Sequence, residues 1–261
     1  MKRLIFLLCI MFCVNGLAGT TDPYVSDAKY IEYGKKYECV LPIAGIYSNK
    51  LNSSFKASCV VIDEYHILTA AHVVNGSITQ HVIKDNKAYP CSIVAIHAKY
   101  NPKVLGKHDI AIARLQRPIK LDFYPELYDK KDELNKICGL AGFGHFGTYI
   151  EGYKQSKFDN QRRAGSNIIS SIRDNVLVFS VKDKPQTSLE MLICPGDSGG
   201  GLFIDQKLAG IHSFVSATDG KADSNLKDDG CSTRISVYND WINETKKIIN
   251  DIITEVNKEN K

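Results

Sequence analysis

Between Ala57 and Leu115 the chain falls into short runs of β-branched and aliphatic residues separated by polar turns: Cys59-Val60-Val61-Ile62, His66-Ile67-Leu68, Ile93-Val94-Ala95-Ile96 and Ile110-Ala111-Ile112-Ala113. Each run has the length of a strand and is too short for a helix, which must repeat its apolar face over several turns. The pattern pauses over Arg117 to Asp132, a stretch with two prolines, and resumes with Ile137 to Phe143, Val176 to Val181, Gly201 to Ile204, Leu208 to Phe214 and Arg234 to Val237. Two β units of similar size joined by a surface linker follow from this layout. A chain of 261 residues, 44% of them hydrophobic, has the material for such cores. Only the C-terminus reads as strongly helical. Trp241, Ile242, Thr245, Ile248, Ile249, Ile252, Ile253 and Val256 recur at three- and four-residue steps, which predicts a helix from about Asn239 packed on its parent domain.

The first residues have a different character. Met1-Lys2-Arg3 precedes an apolar run from Leu4 to Val14 and then small residues up to Gly19, the layout of a cleavable signal peptide with Ala18 before the cut. The run is shorter than the roughly 20 apolar residues that cross a bilayer, and no second candidate span lies downstream. Without Lys2 and Arg3 the balance is 31 Lys+Arg against 29 Asp+Glu, a formal charge of +2. A charge so small and scattered argues against a nucleic-acid partner. Cys9 and Cys13 leave with the leader, and six cysteines remain: Cys39, Cys59, Cys91, Cys138, Cys194 and Cys231. An even number in an exported chain favours disulfides, no C-x2-C spacing argues for zinc, and the 15 pairings that six cysteines allow stay open.

Three local motifs carry chemistry. In Cys194-Pro195-Gly196-Asp197-Ser198-Gly199-Gly200-Gly201-Leu202 a serine sits in a glycine-rich turn. A hydroxyl becomes a useful nucleophile when a base takes its proton and backbone N–H groups receive the oxyanion, and a tight glycine turn supplies such donors, here Gly196 and Ser198. Leu68-Thr69-Ala70-Ala71-His72-Val73 ends an apolar strand on a histidine, the side chain best matched to moving a proton at neutral pH. His108-Asp109-Ile110-Ala111 puts a carboxylate at the mouth of a buried strand, where it must be held by hydrogen bonds, as it is when it orients an imidazole. Gly196 to Gly200 also fits the G-x-S-x-G elbow of α/β-hydrolases. That fold needs a helix after the serine and a later acid and histidine, whereas a strand-like run follows Ser198 and the one later histidine is His212.

T-A-A-H, then H-D-I-A, then G-D-S-G-G, in that order, resembles the trypsin/chymotrypsin family of serine proteases from about Tyr30 to Trp241. The resemblance implies an all-β fold of two six-stranded antiparallel Greek-key barrels with a C-terminal α-helix. It implies His72, Asp109 and Ser198 as the catalytic triad, Gly196 and Ser198 as the oxyanion hole, and an acyl-enzyme route that needs neither cofactor nor metal. It divides the chain into a signal peptide (1–18), an N-terminal segment (19–36), a first barrel (37–116), a linker (117–132), a second barrel (133–238) and a C-terminal helix and tail (239–261). The expected protein is a monomer secreted to an extracellular or periplasmic space, acting on protein or peptide substrates, with no nucleic acid and no stable membrane span. A protease-like protein that binds a partner without cutting it is the alternative.

The departures from the family are specific. Leu192, followed by Ile193, stands six residues before the serine where a tryptic enzyme has an acid, so cleavage after Lys or Arg is not expected. Pro195 and the run His212-Ser213-Phe214-Val215 complete the expected substrate-binding residues, Val215 narrowing the pocket. His212 resembles the histidine of glutamyl endopeptidases, which extends the expected P1 preference to acidic as well as small apolar side chains. The family frees an Ile-Val-Gly-Gly amino terminus to pair with the acid before the nucleophile, here Asp197, and only Ile31-Glu32-Tyr33-Gly34 echoes it. On that footing an active form beginning at residue 19 or 20 excludes an inserted amine. Position 73 lacks the cysteine beside the catalytic histidine, and Cys194 pairing with Cys231 across the pocket is the expected disulfide. Arg162-Arg163 reads as a solvated loop or a processing site. Asn52, Asn75 and Asn243 lie in N-x-[ST] sequons.

Overall fold

Pairing the strand-length runs antiparallel buries their apolar faces, and in the computed structural model, which describes residues 19–47, 53–154 and 159–259, they close into two six-stranded barrels. The expected signal peptide (1–18), Asn52 and the last two residues lie outside the described residues. In chain order the elements are β1 (Gly19–Thr21), α1 (Asp27–Gly34), β2 (Val40–Tyr47), β3 (Ser54–Val61), β4 (His66–Thr69), α2 (Ala71–Val74), β5 (Ser77–Lys84), β6 (Lys87–Ile96) and β7 (Ala111–Leu115). They continue with β8 (Ile137–Gly142), β9 (Phe146–Thr148), β10 (Gly152–Lys154), β11 (Arg163–Arg173), β12 (Val176–Ser180), β13 (Met191–Leu192), β14 (Gly201–Ile204), β15 (Lys207–Ala217), β16 (Asp228–Arg234) and α3 (Asn239–Glu259). The first barrel runs β2-β3-β4-β7-β6-β5 and the second β8-β11-β12-β16-β15-β14, so both follow one Greek-key order.

Local chemistry sets the turns that fix this register. Asp85-Asn86 and Asp205-Gln206 take positive φ at the two-residue hairpins β5–β6 and β14–β15, the geometry whose twist matches paired strands. Between β3 and β4 the Asp63 carboxylate accepts the Tyr65 and His66 N–H groups, both at 2.9 Å, and closes the bend. Residues 117–132 cross the surface without a strand, touching the second barrel through the Leu127–Leu208 bridge. The helix α3 docks by its first half: Ile242 and Ile249 are buried and Lys246 reaches Asp63 at 2.7 Å. Ile248, Ile252 and Val256 stay exposed, so the apolar stripe read from the sequence is wider than the face that packs.

The N-terminal segment folds on the second barrel and carries a helix that strand-like reading of the first half did not anticipate. β1 lies between β9, to which it is parallel, and β13, to which it is antiparallel. Gly19 takes φ +74°, and a Cβ there would fall 2.4 Å from the Met191 Cε. Tyr30, fully buried in α1, donates to the Glu190 carbonyl at 3.1 Å and accepts the Asp22 N–H at 3.2 Å. Ile31 lies within the same helix. Arg163 is not in a solvated loop. It opens β11 with no exposed surface and meets Asp27 (2.7 and 2.9 Å) and Asp159 (3.0 and 2.7 Å) in two forked pairs. Arg163→Ala leaves the half-buried Asp27 facing a buried gap while Asp159 is free to turn to solvent, and the expected loss is about 3 kcal/mol, read as a fall in the denaturant midpoint at constant slope.

The expected Cys194–Cys231 disulfide is corrected: all six cysteines from Cys39 to Cys231 are free thiols. The register explains it. Cys231 sits in β16 opposite Phe214 and Val178, whereas Cys194 faces Thr20 and Ser224. Ser224 ties the loop down instead, donating to the Ile193 carbonyl at 2.8 Å while its own carbonyl accepts from Thr20 Oγ1 at 2.6 Å.

Candidate active site

The end of β4 delivers His72. Ala70 and Ala71 are fully buried, and the single turn of α2 carries His72 out to the seam between the barrels with its side chain 39% exposed. Asp109, just ahead of β7, meets it from below. Its Oδ1 accepts the His72 backbone N–H at 2.8 Å, and its Oδ2 accepts His72 Nδ1–H at 2.7 Å and the Ser213 hydroxyl at 2.5 Å. The Asp109 carbonyl takes a fourth bond, from Thr233 Oγ1 at 2.9 Å. Burial opposes the Asp109 charge, but the hydrogen bonds and attraction from His72 and the Ser213 bond outweigh it and hold the carboxyl below its ordinary value. Because an ionised carboxylate only accepts, His72 Nδ1 carries the proton and Nε2 is the basic nitrogen.

Ser198 occupies the turn between β13 and β14. The Asp197 N–H donates to the Cys194 carbonyl (2.9 Å), Gly200 N–H to Asp197 (2.8 Å) and Gly199 N–H to His212 (2.8 Å). A Cβ on Gly199 would lie 2.1 Å from Thr69 Oγ1 and 2.2 Å from the Ser58 carbonyl, so the turn is pressed against the end of β4 and brings Ser198 to the seam that holds His72. The His145 N–H donates to the Pro195 carbonyl at 2.8 Å. In a trans peptide the N–H points opposite to its carbonyl, which aims the Gly196 N–H away from that anchor. Among the described residues the Gly196 and Ser198 N–H groups donate to no acceptor within the protein.

Asp197 is buried beside them with two backbone donors, Gly144 N–H at 2.7 Å and Cys194 N–H at 2.8 Å. Burial pushes its carboxyl up to about 7. Of the remaining expected residues, Leu192, Ile193 and Val215 share one apolar cluster, while Phe214 lines a cavity with Val104, Leu105 and Val176. Leu192 and Ile193 are buried, Pro195 is exposed, and Phe214 and Val215 are half-buried. A Cβ on Gly230 would meet Phe179 Cε2 at 2.3 Å and Leu192 Cδ1 at 3.0 Å, so apolar groups fill the space beside Val215, which pairs with Gly230. His212 is buried with Nδ1 3.0 Å from Ser232 Oγ, and burial pulls its pKa down to about 3. The ring is therefore neutral. Thr20, Ser58, Ser224 and Thr233 were missed by sequence reading. Each is a buried hydroxyl whose partner lies far along the chain, and the one local signal was Ser58, a polar residue opening an otherwise apolar run. Among the described residues no group of three or more His, Cys, Asp or Glu could hold a metal ion, and no helix is long and apolar enough to cross a membrane.

The fold of two six-stranded β-barrels is shared with solved structures. HL collagenase superposes with a TM-score of 0.68 over 88% of this chain and 98% of its own at 18% identity, and neuropsin, a serine protease of mouse brain, with 0.61 over 78% and 93% at 22% identity. Among sequences, a glandular kallikrein of Sus scrofa is 25% identical over 74% of this chain and 87% of its own length, and a chymotrypsin of Phaedon cochleariae is 28% identical over 70% and 69%. The trypsin family model matches residues 43–242, and the chain belongs to the trypsin family of serine proteases.

Proposed function

We propose that this protein is a secreted serine endopeptidase in which Ser198 attacks the scissile carbonyl, His72 Nε2 takes its proton, Asp109 holds the imidazole, and the Gly196 and Ser198 N–H groups receive the oxyanion. Water then hydrolyses the acyl-enzyme. The observation that carries the reading is the double grip of Asp109 on His72, through Nδ1 and the backbone N–H together, at the seam where the Ser198 turn is pressed in. The substrate is a protein or peptide, and the working form is a monomer.

The P1 side chain is small and apolar. Leu192 and Ile193 offer no charge to Lys or Arg, the neutral His212 offers none to Glu, and Val215 with the Phe179–Leu192 packing at Gly230 leaves little depth. Cleavage-site profiling on a denatured proteome tests activity and preference together. The expected cuts follow Ala, Val or similar residues, and enrichment of Lys, Arg or Glu at P1 sinks this assignment. A folded protein that a fluorophosphonate probe leaves unlabelled would favour a non-catalytic binding role.

Secretion with cleavage after Ala18 frees an amine at Gly19. The Gly19 nitrogen donates to the His145 carbonyl at 2.7 Å, one residue along from the Gly144 N–H that holds Asp197. A terminus at residue 19 would keep its nitrogen on the His145 carbonyl, in the segment whose Gly144 N–H holds Asp197. The intact mass of the exported form checks the cut.

A further inference from the structure

Ser58 belongs to the first barrel, yet three of its hydrogen bonds cross to the second. Its N–H donates to the Ser198 carbonyl at 2.9 Å, its hydroxyl donates to the Gly196 carbonyl at 2.9 Å, and the same oxygen accepts the Phe143 N–H at 3.0 Å. The fourth bond, from Thr69 Oγ1 to the Ser58 carbonyl at 2.9 Å, fixes Ser58 to the strand that leads to His72. The side chain has no exposed surface, so water cannot replace any of these partners. The two carbonyls it holds belong to Gly196 and Ser198, the residues whose N–H groups lack an acceptor within the protein.

We infer that Ser58 is a positioning residue that sets the oxyanion-binding turn and locks it to the strand bearing the catalytic histidine. The physical case is one of peptide planes. Rotating the Gly196–Asp197 peptide breaks the bond to Ser58 Oγ, and rotating the peptide that follows Ser198 breaks the bond to Ser58 N–H. With both held, and with the alternating peptides that carry the donors held at Pro195 by the His145 N–H and at Asp197 by the Gly200 N–H, the donors stand aimed before substrate arrives, and preorganised donors give transition-state stabilisation that mobile ones do not. A hydroxyl suits the position because it donates to one carbonyl and accepts one N–H at once, whereas a methyl would leave both unpaired in a dry seam.

This inference rests on the acyl-transfer reading above, and its test separates the two. Ser58→Ala and Ser58→Cys are compared with the parent on a peptide substrate of the preferred P1, alongside Ki for a peptidyl trifluoromethyl ketone, whose adduct carries an ionised oxygen. Melting temperatures show whether each variant is folded at the assay temperature. Ser58→Ala is expected to lower kcat tenfold or more with KM within threefold, and to weaken the ketone in the same proportion. Ser58→Cys, with a poorer donor of similar size, is expected to fall between. A folded Ser58→Ala with kcat and Ki within threefold of the parent overturns the inference, as does a raised KM at unchanged kcat. If Ser58→Ala does not fold, the same criteria applied to Ser58→Cys decide, with parental kcat and Ki overturning it. A parent that fluorophosphonate fails to label ends the acyl-transfer reading itself. A parent and Ser58→Ala labelled at equal rates end the role of Ser58 alone.

Discussion

Ser198→Ala is expected to fold as the parent does and to lose roughly 10⁶ in kcat, the scale seen when the nucleophile is removed from a triad that acts as a unit. Folding survives because Ser198 is held through its backbone, by the Ser58 N–H on its carbonyl, and because its side chain is only half-buried. Turnover fails because no neighbouring group replaces the hydroxyl. Every cysteine of the described chain is free, but Cys194 is deeply buried and burial pushes its thiol well above the ordinary range, so it offers no thiolate to substitute. The measurement is kcat on a profiled peptide, with melting temperature as the folding control. Activity within tenfold of the parent would remove Ser198 from the mechanism.

Asp109→Asn has the second largest expected effect, about 10⁴ in kcat near neutral pH, through the tautomer of His72. An amide in place of the carboxylate can donate its N–H to His72 Nδ1, which moves the imidazole proton to Nε2 and leaves no base facing the serine. The His72 backbone N–H still finds an oxygen at the Oδ1 position, and the Ser213 hydroxyl can accept from the second amide N–H, so the pocket stays assembled. The substitution also has a pH signature. Asp109 has a folded pKa below its ordinary 3.8, so its charge contributes stability that is present above that value and is lost as the pH falls through the lower, folded one. Parent and variant should therefore converge in melting temperature on acidification from pH 4 downwards. A gap that widens instead would contradict the assigned grip on His72.

Much of the candidate site was legible because its three proposed chemical residues sit in local contexts that sequence carries directly. Ala70-Ala71 before His72, the buried run after Asp109 and the glycines around Ser198 each describe a backbone environment, and the structure realises all three. The barrels were legible for the same reason, since strand length and turn chemistry are short-range. What escaped depends on contacts between residues far apart in the chain. Ser58 meets Gly196 across 138 positions and Thr20 meets Ser224 across 204, and nothing near either hydroxyl announces its partner. The Cys194 pairing failed likewise, because it was argued from segments that flank one pocket, while the register of β16 sends Cys231 elsewhere. The α1 helix was missed because Tyr30 and Arg163 stabilise it from the tertiary side.

The placement of β1 has a practical consequence for anyone producing this protein. Three residues sit between β9 and β13 in one sheet, with Thr20 paired to Leu192, and Gly19 leaves no room even for a methyl group. A side chain at position 19 would meet Met191 Cε at 2.4 Å and the Leu192 carbonyl at 2.8 Å. The opposite end ends in a helix whose last turns stand in solvent, and a tag belongs there.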